Sequence, residues 1–522
     1  MIRLIRLLVL GPLSFLSLAP AFADPPNVIM ILTDDHGYTD LGAYGIDKNV
    51  HTPNLDALAE GGALMTAGYC TAPQCVPSRV GLMTGQIQNE VGIGHNGSDA
   101  GAGDHTMPLV YPEGSPRAGQ PVLTIADRLG QLGYVTGFSG KWHLGYGVEQ
   151  DNPYAPWNRG FDEYWAGTMQ NGPTNLTLDG ERVPHRIERG LPDGVANRVI
   201  QQGLYAQAFI RRNADQPFFL YLSLFGPHIP LIDRNDPYYL NFPRLDYPHY
   251  IDWQDDRRRM GLALIHAVDD AVGGVVTLLQ ELGIQDNTLI LFAGDNGAPT
   301  KIGHGDTGLP HGEQNARGGI WNGSNNVPMR GEKGCLFEGG IRVPMLVHWP
   351  AQIEPGQVID EMVTTLDLTA TALVAARGER PEVFDGVDLL PRLTGEAETI
   401  QRTEPMFWEF WQTQVVREGG WKLWRGGGEV LLFNIAEDPF ELMDLSAAHP
   451  EVVDWLSGLL DDWARTLPPC ARPGPNASKA FAWPRHGAPQ GVDADPRYLV
   501  PYEQPGATPY PAPIATPHAG RE

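Results

Sequence analysis

Apolar positions along the chain fall into two textures. Val28-Ile29-Met30-Ile31-Leu32 is a continuous apolar run with β-branched members, the pattern of a strand buried on both faces. Phe218 to Leu224 and Thr288 to Ala293 read the same way, with shorter strands expected at Tyr134–Ser139 and Val343–Val347. Between them the spacing turns helical. Thr52-Pro53 supplies an N-cap with proline in the first turn and Gly61-Gly62 a stop; Thr124 and Asp127 form a capping-box pattern closed by Gly133. From Met260 to Leu282, Leu262, Ile265, Val268, Val272, Val275 and Leu279 recur at helical spacing. Strands alternating with helices predict an α/β fold: a large, mostly parallel central sheet flanked by helices. From Pro405 the texture changes to short aromatic strands, Met406–Trp411, Trp421–Trp424 and Glu429–Phe433, then a helix over Pro450–Leu467. This predicts a small C-terminal antiparallel subdomain.

Polar clusters sit where the apolar runs stop. Asp34-Asp35, Lys141 and His143, His228, and Asp295-Asn296 each lie just past a predicted strand. Ligands in open α/β sheets bind at that edge. One polar turn is ordinary; four of this composition at one rim predict a site.

Composition narrows the partners. With 37 Lys+Arg against 62 Asp+Glu the formal net charge is −25, and no basic stripe occurs, which excludes a nucleic-acid-coating protein. Arg3 and Arg6, the apolar stretch Leu7–Leu18 and Ala21-Phe22-Ala23 read as a signal peptide over residues 1–23, so an exported protein is expected, periplasmic or secreted, with no later membrane span. The domain reading is 1–23 signal, 24–400 catalytic, 401–470 C-terminal subdomain and 471–522 tail, in which 11 of 52 residues are proline. Asn96, Asn175, Asn322 and Asn476 lie in Asn-x-Ser/Thr sequences. Four cysteines in so long a chain make no disulfide scaffold; the plain account pairs Cys70 with Cys75 and Cys335 with Cys470.

The three carboxylates and one amide of Asp34, Asp35, Asp295 and Asn296 suit a hard divalent cation, Ca²⁺ or Mg²⁺. Cys75-Val76-Pro77-Ser78-Arg79 places residue 75 at a helix N-terminus with Arg79 one turn on, which from residues alone suggests a thiolate nucleophile or a buried cysteine. Lys141, Lys333, His143 and His228 taken singly read as solvated or packed residues, as do His36, His95, His304, His311 and Arg330.

Cys75-Val76-Pro77-Ser78-Arg79 with Thr84-Gly85 resembles the defining signature of the type I sulfatases, and Gly133 to His143 resembles their second signature. The resemblance runs from about Asn27 to Leu467 and takes in Pro227-His228-Ile229-Pro230, Asp295-Asn296-Gly297 and Arg330-Gly331-Glu332-Lys333-Gly334; Val76 stands where many members carry a small residue. It implies an alkaline-phosphatase-like fold and hydrolysis of a sulfate monoester, aryl or carbohydrate. It implies that a maturation enzyme converts Cys75 to Cα-formylglycine, whose hydrate attacks sulfur beside a cation held by Asp34, Asp35, Asp295, Asn296 and residue 75 itself. In that scheme Asp295 assists attack, Lys141, Lys333 and His228 neutralise the sulfate, and His228 or Lys333 protonates the leaving oxygen. His143 then deprotonates the second hydroxyl and Arg79 orients the diol. A phosphodiester or phosphonate monoester hydrolase using the same residues is the nearest rival, and a non-catalytic binder of sulfated glycans the next. The segments Gly94–Gly119 and Ile232–Asp256 are expected to shape the cleft, with Tyr238, Tyr239, Phe242, Tyr247, Tyr250 and Trp253 offered for ring stacking.

Overall fold

The structure is a computed structural model that describes residues 25–96, 106–145, 152–167, 173–178, 181–183, 197–232, 235–245, 252–300, 321–411 and 413–468. Residues 1–23, Cys470 and the proline-rich tail lie outside these.

In chain order the strands are β1 (Asn27–Asp34), β2 (Ala63–Met65), β3 (Gly68–Tyr69), β4 (Val135–Lys141), β5 (Glu163–Gly167), β6 (Pro173–Leu178), β7 (Glu181–Val183), β8 (Phe218–Pro227), β9 (Thr288–Gly294), β10 (Met345–His348), β11 (Gln357–Ile359), β12 (Val363–Thr364), β13 (Met406–Phe410), β14 (Thr413–Glu418), β15 (Trp421–Gly426) and β16 (Glu429–Asn434). The helices are α1 (Pro53–Glu60), α2 (Cys75–Thr84), α3 (Ile125–Gln131), α4 (Arg198–Asn213), α5 (Pro237–Asn241), α6 (Asp252–Glu281), α7 (Glu338–Ile341), α8 (Thr365–Ala375), α9 (Leu390–Leu393) and α10 (Pro450–Thr466).

The large sheet runs β11-β2-β10-β9-β1-β8-β4-β5-β6-β7. Its middle, β9-β1-β8-β4-β5, is wholly parallel, while β10, β6 and β7 pair antiparallel. Side chains along β1 divide by period two: Val28, Met30 and Leu32 join the core under α2, α3 and α8, whereas Ile29 and Ile31 join the core under α1, α4 and α6. Both faces are therefore dry, and the run reads as continuously apolar. The small sheet, β13-β14-β15-β16, shares the first of these cores through Trp408, Val415, Leu423 and Leu432.

Local chemistry accounts for most of the expected boundaries and for the departures. Thr124 and Asp127 do form a capping box on α3. Thr52 makes no side-chain cap on α1; instead Asp269, from the middle of α6, accepts the N–H groups of Asn54 at 3.1 Å and Leu55 at 2.8 Å. Helix α6 begins at Asp252, well before the first apolar repeat at Met260, because its opening turns are polar. Asp255–Glu281 within it is long and apolar enough to cross a membrane by composition alone, yet most of that stretch is buried against α4, α1 and β8. Strand β14 is a correction: three C-terminal strands were expected and four are present, because Thr413–Glu418 carries only two adjacent apolar residues, Val415 and Val416. The pairing of Cys70 with Cys75 that the plain account allows, and that the setting of Cys75 argues against, is not made. Both thiols are free and buried, and Cys70 Sγ donates to the carbonyls of Ala72 and Ile341 at 3.1 and 3.3 Å; Cys335 is free too.

A half-buried carboxylate pair beside α2 gives this fold a pH signature. Burial, then the charge of Asp385, pushes Glu90 up to about 8, and burial pushes Asp385 up to about 6. The folded protein thus holds protons that the unfolded chain releases near pH 4, so the stability these groups contribute is full below that value and is lost as pH rises towards 8. Glu90→Gln should raise the melting temperature at pH 8 and leave it almost unchanged at pH 4; an equal shift at both pH values would contradict the assignment.

Candidate active site

Four adjacent parallel strands, β9, β1, β8 and β4, end on the same rim and deliver the polar clusters together. Asp34 is the last residue of β1 and, after a register shift that follows Leu32, pairs with Pro227 of β8, so His228 emerges beside it. Asp295 follows β9, and its N–H donates to the Thr33 carbonyl at 2.9 Å. Asp35 takes up a left-handed backbone (φ 60°), which turns its N–H onto Asp295 Oδ1 at 3.0 Å. At the end of β4, a Cβ on Gly140 (φ 124°) would fall 1.9 Å from the Ser223 carbonyl, so only glycine permits the close approach that sets Lys141. His143 is also left-handed (φ 57°) and buried two residues further on.

Cys75 opens α2, with Sγ donating to Asp34 Oδ1 at 3.5 Å and Asp35 Oδ1 at 3.9 Å. Arg79, one turn along, has no exposed surface. Its Nε and Nη2 donate to Asp295 Oδ2 at 3.0 and 2.8 Å, and its Nη1 to the Lys141 carbonyl at 3.0 Å and Ser223 Oγ at 2.6 Å. Lys141 Nζ donates to Asp34 Oδ2 at 2.5 Å. Lys333 Nζ donates to Asp35 Oδ2 at 2.8 Å and lies 2.7 Å from Oδ1. Asn296 Nδ2 donates to Asp35 Oδ1 at 2.7 Å, and His228 Nε2 stands 3.6 Å from Asp35 Oδ2. Asp34, Asp35, Asp295, Asn296, Cys75, Arg79, Lys141, His228 and Lys333 therefore form one connected cluster.

The electrostatics follow from burial among these charges. Burial opposes ionisation of Asp34, yet Lys141, His228, Arg79 and Lys333 together hold its carboxyl well below the usual range. Asp295 is pushed up to about 7 by burial and by the charge of Asp34, against Arg79. Burial also raises the Cys75 thiol, so the thiolate reading of the bare cysteine is corrected: unmodified, it stays protonated and weakly nucleophilic.

Donor atoms of Asp34, Asp35, Cys75 and His228 all lie within 4.8 Å of one another. Asn296 Oδ1 is buried with no hydrogen-bond partner among the described residues. An orphaned amide oxygen beside buried carboxylates fits a hard, oxygen-seeking divalent cation.

Two supporting residues escaped the sequence reading. Ser223, the small hydroxyl in the apolar run of β8, accepts from Arg79 and donates to the Lys141 carbonyl at 2.8 Å. Asn322, singled out only as a glycosylation sequence, is fully buried, and its Nδ2 donates to the carbonyls of Asp35 at 3.0 Å and Pro227 at 3.2 Å. Three proposed stacking residues are corrected. Phe242 is in the core, Tyr238 Oη donates to Asp270 at 2.8 Å, and Tyr239 lies under Arg259 at 4.4 Å, so these rings pack on α6. The side chains of Tyr247, Tyr250 and Trp253 lie outside the described residues. His36 is a packed residue bonded to Thr33 and the Asp40 carbonyl, His95 stacks on Trp411, and Arg330 lies over Phe337; His304 and His311 fall outside the described residues.

Residues 26–378 match the family model described as Sulfatase, and residues 331–456 match one described as the C-terminal part of N-sulphoglucosamine sulphohydrolase. Arylsulfatase A of Bos taurus is 33% identical over 412 residues, covering 73% of this chain and 70% of that protein. N-acetylgalactosamine-6-sulfatase of Homo sapiens is 30% identical over 486 residues, covering 83% and 84%. Among solved structures, Ps i-CgsB in complex with k-i-k-neocarrahexaose aligns with a TM-score of 0.69 at 27% identity over 85% of this chain and 94% of that one. A phosphonate monoester hydrolase of Agrobacterium radiobacter shares the fold at a TM-score of 0.57 and 21% identity, over 85% and 96%. The fold is alkaline-phosphatase-like. The matched residues span every strand that feeds the cluster, and the chain belongs to the sulfatase family, as a sulfuric ester hydrolase whose family implies a divalent metal and a formylglycine.

Proposed function

We propose that this sulfatase is exported and hydrolyses the sulfate monoester of a carbohydrate or aryl alcohol, with residue 75 matured to Cα-formylglycine and Ca²⁺ held by Asp34, Asp35, Asp295 and Asn296. The observation that carries this reading is Cys75 at the first turn of α2, its Sγ against Asp34 and Asp35 with Arg79 behind it. That Sγ stands where the oxygens of a hydrated aldehyde would emerge. When bound, the hydrate supplies the attacking oxygen and the cation supplies positive charge to the sulfate oxygens. The sugar sulfatases among the relatives, and the oligosaccharide in the complex of Ps i-CgsB, support a carbohydrate ester. Arg3, Arg6 and the Ala21-Phe22-Ala23 site support export, and the sequence around Cys75 is what a maturation enzyme would read.

The chain's own residues divide the remaining work. Lys141, buried, and Lys333, partly buried, bring two positive charges to the sulfate, where water screens them little. Arg79 holds Asp295 and ties α2 to the ends of β4 and β8, fixing residue 75 against the rim. His228 Nδ1 faces the Ile229 carbonyl at 2.6 Å; a carbonyl only accepts, so the ring proton sits on Nδ1. Burial pushes His228 down to about 4, so near neutral pH Nε2 carries no proton and faces the site as an acceptor. This leaves Lys333 to protonate the departing alcohol as the sulfur–oxygen bond breaks. His143 takes up the proton released as sulfate leaves.

Comparative turnover tests the reading. With matured protein, kcat/KM for 4-nitrophenyl sulfate should exceed that for bis(4-nitrophenyl) phosphate by at least about 100-fold, or about 2.7 kcal/mol of transition-state discrimination. Faster cleavage of the diester would favour the rival assignment.

A further inference from the structure

A cavity of about 840 Å³ lies between the small sheet and the β10–β2–β11 side of the large one, lined by Tyr38, Tyr44, Met329, Met362, Ile400 and Phe440 among others. That volume is within the range of small-molecule sites. Arg417 of β14 also lines it. This side chain is only 7% exposed, and its Nε and Nη1 are buried without a hydrogen-bond partner. Its guanidinium rests on the ring of Tyr69, 4.9 Å from the centroid. Neighbouring charges are already committed. Arg342 donates to the Thr66 carbonyl at 2.8 Å and contacts Glu338 at 3.3 Å, Arg402 is held by Asp367, and Glu338 is engaged by Lys422 and Tyr69. Glu338, whose carboxyl the charge of Arg417 helps to keep ionised, already takes its hydrogen bonds from Lys422 and Tyr69, so Nε and Nη1 of Arg417 are left without an acceptor, which is costly in a buried guanidinium.

We propose that this cavity is a second ligand site, taking a ring compound that carries a single oxyanion, with the anion paired to Arg417 and the ring against Tyr38, Ile400 and Phe440. The apolar lining requires the ring, and a naked inorganic anion would leave those walls uncovered. The mouth restricts the charge: Asp360 and Glu404 are exposed there and Glu418 is half-buried, so a polyanion is repelled while one anion can pass to the basic floor. Sugar or aryl hydroxyls suit the acidic rim. None of the residues that line it belongs to the cluster around Cys75.

Titration calorimetry with 4-hydroxybenzenesulfonate tests this, because its carbon–sulfur bond is not an ester and is not a substrate. Relative to the wild-type protein, Arg417→Met should lose one binding site or weaken it at least tenfold, while 4-nitrophenyl sulfate hydrolysis is unchanged. Ile400→Trp, which fills the cavity and leaves Arg417 in place, should lose the same site and serves if Arg417→Met does not fold. Inorganic sulfate and the neutral 4-hydroxybenzyl alcohol should show no Arg417-dependent binding. Identical sulfonate isotherms in all three proteins would overturn the proposal; so would equal Arg417-dependent binding of inorganic sulfate, which dispenses with the ring, or of the alcohol, which dispenses with the charge.

Discussion

Replacing Cys75 by alanine should lower kcat for a nitrophenyl sulfate by at least about 10⁴-fold, the scale seen when a covalent nucleophile is removed, with little change in melting temperature. The small stability effect follows from the contacts: Cys75 Sγ makes only weak sulfur hydrogen bonds to Asp34 and Asp35, and removing it empties little volume. Cys75→Ser is the sharper variant. A serine hydroxyl can attack sulfur and release one equivalent of alcohol, but it lacks a second hydroxyl to expel the sulfate. It should show a stoichiometric burst of nitrophenol followed by arrest. Steady turnover by the serine variant at more than a hundredth of the wild-type rate would show that residue 75 needs no second oxygen.

Arg79→Ala should cost about 3–5 kcal/mol of stability at neutral pH, measured by urea unfolding, as well as activity. Arg79 is fully buried, and its fork reaches Asp295 twice, the Lys141 carbonyl and Ser223 at once. Deleting it leaves Asp295 as a buried carboxylate without its cation and frees the ends of β4 and β8. Arg79→Lys keeps one positive charge but cannot span those partners, so it should recover part of the stability and little of kcat. A loss below about 1 kcal/mol for the alanine variant would place Arg79 outside the network described.

Much of this site was legible in the sequence because the central strands are buried on both faces. That makes β1, β8 and β9 almost continuous apolar runs, and the polar residues at their C-terminal ends, Asp34, His228 and Asp295, mark the rim. Parallel pairing then puts those ends on one rim. What stayed hidden depends on strand order and on what a side chain meets, which no local pattern encodes. Ser223 looks like a blemish in an apolar strand until Arg79 is seen to need it. Asn322 sits in a glycosylation sequence, yet it is buried as a clamp on the Asp35 carbonyl. The aromatic cluster at Tyr238–Phe242 has the composition of a ring-binding surface, but α6 lies under it and takes the rings. Lys333 belongs to a loop without regular structure, and only the family resemblance singled it out. Arg417, on the overlooked strand β14, carried no signal at all.

The most direct measurement is the mass of the proteolytic peptide spanning Cys75, taken from protein produced with a formylglycine-generating enzyme. The account predicts a peptide in which sulfur and two hydrogens are replaced by one oxygen, reactive toward hydrazides, in proportion to the sulfatase activity of the preparation. Full activity in protein whose residue 75 is an intact thiol would contradict it.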